Sequence, residues 1–401
     1  TGFISQVLQE QQLIPFFVLG YITSFFDPGL YCPYTVTLCT AFFLEKYGSS
    51  WLKERYLGKF MTREKPWQGA TWMTEIKGGS DLGNHTETLA YETNNGTVYL
   101  VGEKYFCSNA NAESALVVAR PHQLKPHVKN LGLYFVPRYN EDGELNWKLE
   151  RLKNKIGTRS VPTGEISFYK SVAYPLGDIA KGIYFITEVL NLSRVANAIG
   201  SVALMQKCLN LVHQFVSTRT SFGKRLIDHL LIQRELESYA QQWLGSFALA
   251  WHTAFLLNKN VYKTPPYDEA FQIFRLFAHI AKYYTAEMAI RTARWALTTW
   301  AGIGTLQEFP VERLLREALV LAIWEGTPHL HALETVKLLQ KTGIHEIAFD
   351  TPEIPLGQKK ALLQLCNQFL KKSEEEQYRN ALSFLHQLGE TLAYALQIQY
   401  P

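Results

Sequence analysis

Four short stretches hold side chains whose types and spacing could do chemistry. In Trp72-Met73-Thr74-Glu75-Ile76-Lys77-Gly78-Gly79-Ser80-Asp81 a strand-like start runs into two glycines and a hydroxyl. Adjacent glycines let backbone N–H groups approach an anion closely and Ser80 adds a donor, although a plain surface turn reads the same way. Glu103–Asn109 places Phe106 and Ser108 two residues apart, hence on one face of a strand, which is also ordinary β packing. Arg219-Thr220-Ser221-Phe222-Gly223 closes a long helical pattern. Its guanidinium suits a phosphate, or the segment is a helix C-cap ended by Gly223. Glu325, in Ile323-Trp324-Glu325-Gly326-Thr327-Pro328, follows the apolar run Ala318–Trp324. A carboxyl in such surroundings has a raised pKa and can act as a base near neutrality. The alternative is an ordinary acidic residue at the start of the helix that Pro328 opens.

Other chemistries lack their motifs. No GxGxxG follows a strand, and no GxxxxGK[ST], GxSxG or CxxC occurs. His329 and His331, two apart, would leave a helix on different faces, so no metal site is expected. The five cysteines at 32, 39, 107, 208 and 366 form no disulfide framework, which points to a reduced, cytoplasmic setting. Forty Lys and Arg against 36 Asp and Glu give a net charge of +4, too balanced to argue for nucleic acid. Residues 11–26 are uncharged but interrupted by Pro15 and Gly20, with no basic region ahead. They are expected to be a buried helix or helix pair, not a membrane span or a signal peptide.

These residues must be positioned by elements of three textures within 401 residues of ordinary globular composition, 47 % apolar and 19 % charged. Residues 1–69 show helical clumps, such as Thr37–Trp51 ended by Gly48 and Ser49. Residues 70–178 carry short runs (Thr86–Thr93, Thr97–Phe106, Ala115–Ala119, Leu131–Val136, Glu165–Phe168), with a turn signal at Asn94-Asn95-Gly96, and predict mostly antiparallel β. Residues 179–345 repeat apolar positions at helical spacing over Ile183–Thr218, Ile227–Leu257, Tyr267–Trp300 and Leu330–Gln340, which predicts an antiparallel four-helix bundle. Residues 346–401 add a helical extension split near Lys372–Glu376. The fold class is α+β: N-terminal helical domain, central antiparallel β domain, C-terminal bundle and helical tail.

In chain order the segments TE-x-x-GGSD, K-aromatic-x-[ST]N, R-x-x-FG, G-x-G and [YW]EGT resemble the flavin-dependent acyl-CoA dehydrogenases, from about Cys32 to Lys337. Gly29–Thr37, Arg151–Ser160 and Trp324 in place of the commoner Tyr are similar to the AidB-like branch. The resemblance implies FAD as cofactor. Met73 and Thr74 would line the flavin's pyrimidine edge, Ser80 would reach the pyrophosphate, and Phe106 would lie against the isoalloxazine with Ser108 near N5. Arg219 and Phe222 would meet the diphosphate and adenine side, donated from a neighbouring subunit of a homotetramer. Gly302 and Gly304 belong to the glycine pair region, with Ala301 replacing one usual Gly, and Thr327 is an FAD-contacting hydroxyl. Glu325 falls on the base that removes the α-proton of an acyl-CoA thioester while the β-carbon delivers hydride to flavin N5.

The implied partners are the acyl-CoA substrate and an electron acceptor such as an electron-transfer flavoprotein. Leu230 and Thr298 stand where the family often has Gln, which removes adenosine contacts. The family's helical domain is longer than the segment before Ala70, so the chain is expected to begin inside it. The alternative function is an AidB-like flavoprotein that sequesters lipid or binds nucleic acid. From Gly326 to Pro401, however, seven Lys and Arg against eight Asp and Glu give a net charge of −1, which offers no counterion-release drive.

Overall fold

A computed structural model describes residues 3–94 and 96–398. Its helices are α1 (Phe3–Glu10), α2 (Ile14–Phe26), α3 (Pro28–Tyr47), the short α4 (Ser50–Leu52), α5 (Gly58–Met61) and α6 (Leu82–His85), α7 (Gly182–Thr218), α8 (Leu230–Asn260), α9 (Glu269–Trp300), α10 (Pro310–Leu321), α11 (Pro328–Thr342), α12 (His345–Ala348), α13 (Leu356–Leu370) and α14 (Glu374–Gln397). Its strands are β1 (Gly69–Trp72), β2 (Leu89–Glu92), β3 (Val98–Ser108), β4 (Ser114–Pro121), β5 (Gly132–Pro137), β6 (Lys148–Leu152), β7 (Thr163–Pro175) and the two-residue β8 (Thr220–Ser221) and β9 (Lys224–Arg225). The chain divides into two compact units. One comprises residues 1–16, 29–155 and 159–193, the other residues 17–28, 156–158 and 194–401.

The first unit is built on a seven-stranded sheet in the order β1-β4-β2-β3-β7-β5, with β6 on β7 and a further β4–β5 pairing that returns the sheet on itself. Alternation sends Leu100, Cys107, Val117, Tyr134 and Phe168 into one core with Trp72 and Trp147. Most pairings are antiparallel as the runs predict. The exceptions are β1–β4 and β2–β4, which are parallel because β4 lines up with two earlier strands in succession. β6 carries no apolar alternation and every residue in it is exposed, so its texture does not reveal it; pairing with β7 alone makes it a strand. The predicted Asn94–Gly96 turn has its middle residue, Asn95, outside the described residues. α3 packs in this unit through a buried ion pair, Lys46 Nζ to Glu188 at 2.6 Å, which Tyr47 also contacts through its hydroxyl.

The second unit is helical. α8 packs on α9 and α14, α9 on α10 and α11, and α14 on α11 and α13. Glycines permit close crossings there: a Cβ at Gly389 would lie 2.9 Å from the Tyr284 ring. The apolar segment 11–26 departs from the buried helix expected. Tyr21 packs through Gln206, Phe247 and Trp251, whereas Val18, Ile22 and Phe26 on the other side are exposed. One stretch, Ile179–Thr218, is long and apolar enough to cross a membrane by length and composition, and 72 % of its most apolar window is buried within the protein. All five cysteines are free, four of them buried.

Candidate functional site

In the first unit, β1 and β3 bring the first two motifs together. The Tyr105 N–H donates to the Thr74 carbonyl at 2.9 Å, and Trp72 Nε1 donates to the Ser108 carbonyl at 3.0 Å. Met73 and Thr74 therefore run alongside Tyr105–Ser108. Phe106 is 50 % exposed and Met73 buried, and Thr74 and Ser108 are half-buried. A Cβ at Gly79 would lie 2.6 Å from Thr74 Oγ1, so the glycine run folds back against Thr74. The Gly78 N–H closes the turn onto the Glu75 carbonyl at 3.0 Å, which leaves Gly79 and the exposed Ser80 to form any anion cradle. Asp81 caps the single-turn α6 by accepting from the Asn84 N–H.

What fastens this arrangement is a buried ion pair that motif reading passes over. Lys104, fully buried, donates to Glu75 Oε1 at 2.5 Å and to the Met73 carbonyl at 3.2 Å. Glu75 also accepts from the Glu87 and Thr88 N–H groups and from Thr88 Oγ1. Burial works against its charge. The Lys104 ammonium and these donors outweigh that penalty and hold the carboxyl below its ordinary value. The "E" of the first motif and the "K" of the second are thus one structural clasp that joins β1, β2 and β3. Asn109, at φ 55°, completes it by donating from Nδ2 to the Gly69 carbonyl at 2.8 Å.

In the helical unit, Gly223 does not cap a helix as the sequence allowed. α7 stops at Thr218, and Phe222 (φ 49°) and Gly223 (φ 80°) form the two-residue turn of the β8–β9 hairpin, which requires positive φ at both positions. Phe222 stands 96 % exposed at its tip, and Leu230 and Leu231, which open α8, are exposed as well. Ala301 lies at φ 54°, ψ −142°, where a side chain is strained and Gly is at ease. It begins the 3-10 turn Ala301–Thr305, which contains Gly302 and Gly304. Residues 156–158 join this unit: a Cβ at Gly157 would sit 2.3 Å from the Arg316 carbonyl, and the Thr158 N–H donates to Glu317 at 2.9 Å.

Glu325 lies between α10 and α11 at φ 61°, followed by Gly326 at φ 115°. It is neither in a helix nor at its N-cap. That place belongs to Thr327, whose side chain accepts from the Leu330 N–H at 3.3 Å. Glu325 keeps partial solvent exposure. Burial pushes its carboxyl up to about 7, against the opposing pull of Arg194 and Lys282.

Arg194 in α7 is buried, and its Nε donates to the Glu325 carbonyl at 3.3 Å. Lys282 in α9 is 1 % exposed and brought down by burial to about 7. His279 and His331, both buried, meet Nδ1 to Nδ1 at 3.0 Å and are held well below the ordinary histidine range by burial and nearby cations. Sequence reading missed Arg194, Lys282 and His279, and weighed His331 only as a metal ligand. Their one signal was polarity inside apolar helical runs such as Phe277–Tyr284. Among the described residues no group of three or more His, Cys, Asp or Glu is arranged to hold a metal.

The chain matches the family model for the middle domain of acyl-CoA dehydrogenases over residues 70–171 and that for their C-terminal domain over residues 180–336. It is 31 % identical over 331 residues to AidB of Escherichia coli (strain K12), which covers 80 % of this chain and 59 % of that protein. It is 29 % identical over 317 residues to acyl-CoA dehydrogenase family member 11 of Caenorhabditis elegans, covering 77 % and 51 %. The chain thus spans half to three fifths of the length of these relatives. The solved apo form of Bd2924 aligns with a TM-score of 0.85 over 96 % of this chain and 76 % of that one, at 29 % identity.

Proposed function

This chain belongs to the acyl-CoA dehydrogenase family, and from that premise we propose that it is an FAD-dependent enzyme that desaturates an acyl-CoA thioester with Glu325 as α-proton base. The observation that carries the reading is the carboxyl of Glu325, presented by a left-handed turn and poised near 7. An α-proton beside a thioester is weakly acidic, so the base is best matched when its pKa lies near the working pH. The backbone N–H of Glu325 would bond the thioester oxygen as negative charge develops there. The proton then moves from the α-carbon to the Glu325 carboxylate.

The β unit fits a flavin on its own evidence. The half-exposed ring of Phe106 would offer a face to a planar ring system, with Met73 and Thr74 on the segment that runs alongside Tyr105–Ser108. Ser80 with Gly79 would take the pyrophosphate. Bound FAD would supply the two-electron acceptor for the hydride leaving the β-carbon. The resemblance supports Thr327, Gly302 and Arg219 as further contacts to the cofactor. The bare ring of Phe222, beside exposed Leu230 and Leu231, supports a second copy of the chain covering the hairpin, as in a homotetramer. An electron-transfer flavoprotein is the proposed acceptor.

Anaerobic titration of the FAD-loaded protein with straight and branched acyl-CoA thioesters tests the reading. Bleaching of the flavin band by a thioester is expected, and its loss in Glu325→Gln with the colour retained. Bleaching that survives in Glu325→Gln overturns the base, and a flavin band that no thioester bleaches overturns the activity.

A further inference from the structure

Two buried cations meet the turn that carries Glu325, and proton transfer alone gives neither a task. Lys282 lies midway along α9 and is buried. Its Nζ donates to the carbonyls of Gly326 at 2.6 Å and Ala322 at 3.0 Å, which bracket Glu325. Arg194 Nε takes the carbonyl of Glu325 itself. The turn these bonds hold is one that an L residue disfavours, since Glu325 sits at φ 61°. The third wall is His331: a Cβ on Gly326 would fall 2.8 Å from its Nε2, so the turn cannot relax toward α11. A long cation is thus anchored to the backbone on both sides of one carboxyl-bearing residue.

We infer that Lys282 is a positioning residue for the reaction: by bonding the carbonyls of Ala322 and Gly326 it holds the left-handed turn that presents the carboxyl of Glu325. The inference rests on Glu325 being the base. Even the neutral amine has two N–H groups for the two carbonyls, so the geometry survives loss of its proton. The charge has a second effect. Arg194 from α7 and His331 from α11 face the pair, and Arg194 in turn lies near Arg275 and His279 from α9 and Glu334 from α11. The histidines stay neutral, so Arg194 and Lys282 are the cations that oppose the upward push of burial on Glu325. Without Lys282 the Glu325 carboxyl titrates higher.

The test compares Lys282→Met with the wild type and with Thr285→Val, each as the FAD-loaded protein. Thr285 is buried one turn further along α9, bonded only to the Ala281 carbonyl in its own helix, and controls for general loss of packing. The first readout is the carboxylic-acid infrared band that vanishes in Glu325→Gln, followed against pH; it needs no substrate. The second is the rate of flavin reduction by whichever acyl-CoA thioester bleaches the wild type.

Lys282→Met is expected to move the midpoint of the band up by about one pH unit. It is also expected to slow reduction at saturating thioester at least tenfold with little change in half-saturation, while Thr285→Val leaves both at wild-type values. If Lys282→Met does not fold, Lys282→Gln, which keeps two amide donors and loses the charge, is expected to show the same upward midpoint with a smaller loss of rate. A wild-type midpoint and rate in the lysine variant, or an equal shift in Thr285→Val, overturns the inference. Because Glu325→Gln is assayed beside them, a flavin still reduced there overturns the base reading, whereas an inactive Glu325→Gln with an unaffected lysine variant overturns only the role of Lys282.

Discussion

Replacing Glu325 by Gln should stabilise the protein, and only above a defined pH. In the folded state burial lifts this carboxyl from 4.5 to about 7. Between those values the folded protein keeps a proton that the unfolded chain gives up. Stability therefore falls as pH rises through the window and levels off above the folded pKa. At about 1.4 kcal/mol per pH unit the full penalty is roughly 3 kcal/mol. Below pH 4.5 the carboxyl is protonated in both states, and Gln is a near-isosteric substitute, so the two proteins should be equally stable there. Above pH 7 the wild type carries a poorly solvated charge that Gln does not, and the variant should be more stable by about 2–3 kcal/mol. The folded value of about 7 already includes the opposing pull of Arg194 and Lys282. The assay is urea unfolding of both proteins at pH 4.5, 6 and 8, followed by tryptophan fluorescence. Stability curves that run parallel across that range would refute the reasoning, because they would mean that Glu325 titrates alike in the folded and unfolded chains.

Three further outcomes follow from the packing. Lys104→Met strands the Glu75 carboxylate without its cation and should cost about 3–5 kcal/mol in urea unfolding, with loss of bound FAD; a cost below about 1 kcal/mol would show that the backbone donors alone suffice. Ala301→Gly relieves a side chain from a backbone region suited to glycine and should raise stability by about 1 kcal/mol, read as a higher midpoint at unchanged slope. Gly157→Ala forces a methyl group to within 2.3 Å of the Arg316 carbonyl and should cost about 1–3 kcal/mol, whereas Gly143→Ala, with open space around its Cβ, pays only for its positive φ.

Much of the helical framework was legible because its signal is periodic. Ile183–Thr218 and Tyr267–Trp300 were expected within two residues of the observed α7 and α9, and the break near Lys372–Glu376 matches the gap between α13 and α14. Strands were legible where one face alone is buried, as in β3, and invisible in β6, which buries neither face. α10 was read only as the apolar run before Glu325, since its first turns carry Glu312, Arg313 and Arg316 on a surface-facing side. Of the candidate residues, Met73, Thr74, Phe106 and Ser108 come together in the β unit because the chain at and just beyond the end of β1 bonds to β3, through the Thr74 carbonyl and the Trp72 side chain.

What the sequence determined by itself is local: periodicity sets which face of an element is buried, glycine spacing sets where the chain turns, and motif order identifies Glu325 as the carboxyl of interest. Tertiary structure alone decided what that carboxyl is. Arg194 and Lys282 stand 131 and 43 residues before it and carry no mark that ties them to it. Folding of α7 and α9 against the turn brings two cations, two neutral imidazoles and a left-handed backbone to one place. A pKa depends on the charges and solvent within a few ångströms, and those neighbours come from distant points in the chain.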